Sequence, residues 1–130
     1  MRRVAAGNIR PTEFELELLQ LLWMRDGATV RDLFEALNEN RELGYTTVLK
    51  TLQIMTEKGL VTREVIGKAH IYRAAKSEEQ TQNQFIRYLS ERLFEGSAAK
   101  LVLHALSMQA PDSSELKRIK ELISQKESEA

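Results

Sequence analysis

At Gly59 the apolar pattern of this chain changes period, and that change constrains the fold more than any other feature. Before it, three segments repeat apolar residues at helical spacing. Thr12 with Glu15 makes a capping-box pattern, so a first helix is expected from near Thr12. Its stripe is Phe14, Leu18, Leu21 and Leu22, widened by Leu16, Leu19 and Trp23, and Asp26-Gly27 is expected to end it. Thr29 with Asp32 repeats the cap ahead of Val30, Leu33, Phe34 and Leu37, and polar Asn38 to Gly44 reads as a turn. A third helix is expected from Thr46 or Thr47 to Lys58, closed by Gly59, with Val48, Leu52 and Met55 facing inward at i, i+4 and i+7. After Gly59, Leu60 to Ile66 is rich in β-branched residues, Gly67-Lys68 is a turn, and Ala69 to Ala74 is a second short strand. Two such runs across a tight turn predict a β-hairpin. Three helices and then a hairpin give the layout of a winged helix-turn-helix.

The rest of the chain returns to helical spacing. Ser77 is expected to cap a long fourth helix through Phe94, with Phe85, Ile86, Leu89, Leu93 and Phe94 apolar, and Gly96 breaks it. Ser97 to Met108 reads as a fifth helix, apolar on most sides through Leu101, Val102, Leu103, Ala105 and Leu106. Pro111 separates a sixth, capped by Asp112 with Glu115 and striped by Leu116, Ile119, Leu122 and Ile123, with fraying expected from Lys126. No internal repeat or low-complexity linker interrupts the chain. The expected class is mainly α with a small β-hairpin wing. A winged helix-turn-helix over residues 1–76 is followed by a three-helix dimerisation region over 77–130. Three short helices this apolar do not close a core by themselves, and the fifth is apolar on too many sides for a helix with one wet face. A twofold partner supplies the missing layer, with Phe85, Leu89, Leu93, Leu101, Val102, Leu106, Leu116, Ile119, Leu122 and Ile123 as the pairing set. The alternative is that these helices fold back on the winged domain of the same chain.

Composition narrows the function. The chain has no cysteine and two distant histidines, which removes disulfides, thiolate nucleophiles and most metal sites. No cofactor is expected. Apolar residues make up 42% of 130, but no run reaches the roughly 18 that a spanning helix needs, so membrane insertion is not expected. Met1 to Gly7 is basic with no apolar run behind it and reads as no signal peptide, which fits a cytoplasmic protein. An enzyme finds little material. His70 falls in the hairpin, His104 in an apolar helix, Trp23 in a core stripe, and Glu13, Glu15 and Glu17 alternate around the positive start of a helix.

The net charge of zero hides an uneven distribution. From Arg41 to Lys76 seven basic residues (Arg41, Lys50, Lys58, Arg63, Lys68, Arg73, Lys76) face three glutamates, a local +4 balanced by −4 elsewhere. Opposite the inward stripe of the third helix lie Thr46, Thr47, Lys50 and Gln53. Short hydroxyls at a helix start allow close approach to a groove, and the first-turn N–H groups favour a phosphate. Lysine reaches phosphate or guanine, and the glutamine amide matches adenine in the major groove. The hairpin adds Arg63, Lys68, His70 and Arg73, cations able to lie along a duplex backbone or enter the minor groove. Each feature alone also reads as an ordinary solvated face, and edge cations discourage strand pairing. Together they point to double-stranded DNA. The alternative reading is a winged-helix module that binds protein.

The residues also resemble the BlaI/MecI penicillinase repressor family in three places. These are Thr12-Glu13 through Glu17 to Leu22-Trp23, Gly44-Tyr45-Thr46-Thr47-Val48 through Leu52 to Glu57-Lys58-Gly59-Leu60-Val61, and Gly67-Lys68-Ala69-His70-Ile71-Tyr72-Arg73. The resemblance spans nearly the whole chain. It implies a homodimeric repressor on a dyad-symmetric operator, with Thr46 and Thr47 matching positions that meet DNA. Ile54 stands where many relatives have arginine. The family resemblance further implies relief of repression by proteolysis in the C-terminal region, in a pathway run by a membrane sensor protease. The matching stretch is Lys100 to Leu106, with His104-Ala105 in place of the family's Asn-Phe. The copper-responsive relatives use a cysteine-rich tail, which this chain lacks.

Overall fold

The computed structural model describes residues 10–39 and 41–130, so the basic start from Met1 to Gly7 lies outside the described residues. Element order is α1 (Glu13–Trp23), α2 (Val30–Leu37), α3 (Tyr45–Lys58), β1 (Val61–Ile66), β2 (Ala69–Ala74), α4 (Glu78–Leu93), α5 (Ala98–Met108) and α6 (Ser113–Glu129). The fold is mainly helical with a two-stranded antiparallel hairpin, a winged helix-turn-helix followed by three helices. The chain divides into two compact units, one through Phe85 and one from Ile86 to Ala130.

In the first unit the caps form as the sequence expects. Thr12 and Glu15 close a reciprocal capping box on α1, and Thr29 and Asp32 do the same on α2. The helix α1 stops at Trp23, three residues short of Asp26, because the chain must turn there to reach Gly27 at φ +93°. A Cβ on Gly27 would lie 2.7 Å from Cγ2 of Ile71, so only glycine fits this crossing. Next to it, Ala28 and Tyr72 exchange both backbone hydrogen bonds, at 3.0 and 2.8 Å. This bridge gives the hairpin a third partner at its root. No sequence pattern announced it, since one bridged residue leaves no periodicity.

Leu18, Leu33, Val48, Leu52 and Met55 are fully buried with Tyr72, so one core joins all three helices to the hairpin root. Removing a side chain of this kind costs about 2–5 kcal/mol. The α3 stripe is the one expected, and Gly59 closes α3 at φ +80°. Gly67, at φ +62°, takes the first of two turn positions between β1 and β2, the glycine-first pattern of a type II′ hairpin turn.

In the second unit, α5 follows a Ser97 cap and α6 an Asp112–Glu115 capping box. No residue of α5 or α6 is buried. Past Lys126, where fraying is expected, α6 runs on to Glu129, with a Lys126–Glu129 ion pair at 3.7 Å and a Ser128 Oγ bond to the Ser124 carbonyl. Among the described residues no helix is long and apolar enough to cross a membrane, and no cluster of three or more His, Cys, Asp or Glu is placed to hold a metal.

Candidate nucleic-acid interface

The helix α3 buries one stripe and leaves the other side wet. Opposite Val48, Leu52 and Met55, the residues Thr46, Thr47, Lys50, Gln53 and Ile54 are all exposed. Its N-cap is Gly44, which has no side chain to bond the first-turn amides. Thr47 N–H and Val48 N–H both turn back to the Gly44 carbonyl, at 3.1 and 3.3 Å. The amides of Tyr45 and Thr46 have no partner among the described residues. That leaves donors and the positive end of the helix dipole at the surface beside two threonine hydroxyls. Lys50 forms no ion pair among the described residues, so its charge is available.

The hairpin sorts its polar residues by register. Side chains of directly paired residues share a face, so Arg63 lies with Tyr72 and Val65 with His70 on one face, and Thr62 lies with Arg73 on the other. Arg63, Lys68 and His70 are exposed and form no ion pair among the described residues. Arg73 differs. Its Nη1 is 2.8 Å from Glu64 and its Nε 3.5 Å from Asp26, and these two carboxylates, Glu64 foremost, raise its pKa. Arg73 therefore ties the hairpin to the turn after α1, on the face away from Arg63 and His70.

The local excess of basic residues is thinned by the same kind of pairing. Lys58 Nζ sits 3.0 Å from the buried carboxylate of Glu15, and Arg41 lies 2.6 Å from Glu17. Two of the alternating glutamates of α1, Glu15 and Glu17, are thus structural partners of basic residues from the +4 segment. Of its seven cations, Lys50, Arg63, Lys68 and Lys76 remain without an ion pair among the described residues. One cation outside the segment was missed. Arg31 of α2 stacks over the Tyr45 ring at 5.6 Å, and Tyr45 meets Phe34 edge-on at 5.5 Å. This puts a guanidinium beside the first residue of α3. The α2–α3 packing that creates it is tertiary, and no local pattern in the sequence carries it.

The expected pairing set of α4, α5 and α6 is half-exposed to exposed. Leu93 is 70% exposed, Leu122 48% and Ile123 51%, values that place apolar side chains in water on a single chain. Between α5 and α6 runs an apolar groove of about 820 Å³ lined by Val102, Leu103, Leu106, Ile119, Leu122 and Ile123 among others. Phe85, Leu89, Leu101 and Leu106 are half-buried, and Val102 and Leu116 exposed.

The family model described as "Penicillinase repressor" matches residues 11–125. The chain belongs to the penicillinase repressor family. The matched span runs from the residue before the α1 cap into the last turns of α6, so the family likeness includes the helical tail. Within curated proteins, the Transcriptional regulator BlaI of Mycobacterium tuberculosis is 29% identical over 108 residues, covering 82% of this chain and 78% of the relative. The same values hold for the protein of strain CDC 1551 / Oshkosh and that of strain ATCC 25618 / H37Rv. A chain in the solved complex structure of hsRosR-S4 covers 95% of both chains with a TM-score of 0.54 at 14% identity, a likeness of fold alone.

Proposed function

We propose that this member of the penicillinase repressor family is a non-enzymatic, cytoplasmic transcriptional repressor that binds a dyad-symmetric operator as a homodimer. The observation that carries the reading is the wet face of α3. Thr46, Thr47, Lys50 and Gln53 are exposed together, at an uncapped helix start, with the Lys50 charge unspent. Residues 1–76 make the DNA contact. Thr46, Thr47 and Gln53 read base edges or nearby phosphates, Lys50 takes phosphate or guanine, and Arg63, Lys68 and His70 follow the backbone from the wing. Arg31 adds a phosphate contact at the start of α3. Arg73 contributes charge to the wing only as far as Glu64 and Asp26 leave it, and its first role is to fix the hairpin root.

Residues 77–130 pair the protomers. The support is the half-exposed apolar set of α4, α5 and α6 and the groove between α5 and α6, which a second copy covers. Relief by proteolysis under a membrane sensor protease is the mode the family suggests. In this chain His104 and Ala105 are exposed in mid-helix, so a protease gains an extended substrate there only by unwinding α5.

The decisive experiment is titration of duplex DNA over a salt series. Engagement of some six to ten phosphates lowers affinity by roughly 10³–10⁵ between 50 and 200 mM salt. A winged-helix module that binds protein shows no such slope on DNA, and a flat response would end the repressor reading.

A further inference from the structure

Resting on that DNA-binding reading, we infer that Ile54 is a specificity-determining residue that reads the C5-methyl group of a thymine in the major groove. Every other exposed residue of the α3 face assigned to DNA is a hydrogen-bonding or charged side chain. Ile54 is apolar and 45% exposed, and it lies four residues after Lys50 and seven after Thr47, on the same side of the helix. It takes no part in the buried stripe of Val48, Leu52 and Met55. A single apolar residue on a surface needs no explanation by itself. Its position at the C-terminal end of a polar recognition face gives it one. The major-groove edges of the four base pairs present donors, acceptors and a single apolar group, the thymine methyl.

Geometry suits the role. Lys50 stands about 6 Å and Thr47 about 10 Å before Ile54 along the helix axis, at 1.5 Å per residue. Contacts of Thr47 and Lys50 near the helix start therefore hold Ile54 over a base further along the groove. A β-branched side chain in a helix is nearly locked at χ1, so little rotamer freedom is lost on contact. Isoleucine also excludes water from the site without a polar group to leave unpaired. An arginine at this position would seek phosphate or guanine; the isoleucine exchanges that charge-based contact for a test of one methyl group. The same C5-methyl group is present on 5-methylcytosine, which predicts that methylated cytosine is accepted in place of that thymine's methyl contact.

The test uses the full chain and the duplex that it selects from a randomised pool. Each thymine of the selected half-site is replaced singly by uracil, which removes the C5-methyl and nothing else. The expected result is a loss of about fourfold per half-site at one thymine, the worth of burying one methyl group. Ile54→Ser, nearly equal in helix propensity, should become indifferent to that replacement, and Ile54→Val should keep part of the discrimination. Indifference of the unaltered chain to every uracil, a half-site without thymine, or a uracil effect that survives Ile54→Ser would each overturn the inference while salt-dependent DNA binding stands. Absence of duplex binding altogether would overturn the repressor reading as well.

Discussion

Among the described glycines, Gly27 is the one whose identity the fold constrains most tightly. Its φ of +93° and the 2.7 Å approach that any Cβ would make to Ile71 act together. Gly27→Ala is expected to destabilise the protein by about 2 kcal/mol or more, from the left-handed backbone cost plus the clash. Thermal unfolding should show it as a drop of roughly 8–16 °C for a unit of this size. An unchanged melting temperature would mean that the turn relaxes freely. The sequence marked Gly27 only as a helix stop; the crossing with Ile71 was invisible because it joins residues far apart in the chain. Glu15 teaches the same lesson. Its capping role was legible from the Thr12–Glu15 spacing, whereas its burial beside Lys58 depended on how α1 meets the end of α3. The local rule and the tertiary contact use the same carboxylate.

For the elements, capping chemistry and apolar period were enough to place all six helices and the hairpin, with bounds displaced by a few residues at Trp23 and Glu129. The proposed DNA face was legible on α3 because a helix buries one side and bares the other. On the hairpin it was less so. Alternation along β2 already puts His70 and Arg73 on opposite faces, strand register adds Arg63 to the His70 face, and ion pairing occupies Arg73 with Glu64 and Asp26. The prediction for this surface follows from which cations are unspent. Lys50→Ala combined with Arg63→Ala should lower the salt slope of DNA binding by about two and abolish operator binding at moderate salt. Dimer mass should be unchanged. Full retention of binding by this double variant, measured by fluorescence anisotropy, would show that α3 and the wing had been assigned to the wrong surface.

At the scale of the molecule, the first unit satisfies its own core and the second does not. Leu122 and Ile123 are about half exposed on the single chain, so replacing both with aspartate removes little internal packing. Sedimentation of Leu122→Asp/Ile123→Asp should report monomers that still melt cooperatively in the winged domain and bind DNA much more weakly. A dimer of normal mass would place the pairing surface elsewhere. The neutral total charge suits the proposed dimer, since two copies would approach without strong mutual repulsion while the cations on the proposed DNA face stay local. The Ala28–Tyr72 bridge holds β2 to the turn after α1. Together with the Arg73 ion pairs it clamps the hairpin at its base, while everything from Thr62 to His70 stands clear of the core. Such a ribbon is a cantilever, stiff at the root and compliant at the tip. On the proposed DNA it could then flex to follow a narrow or wide groove while α3, seated on the core, keeps its aim.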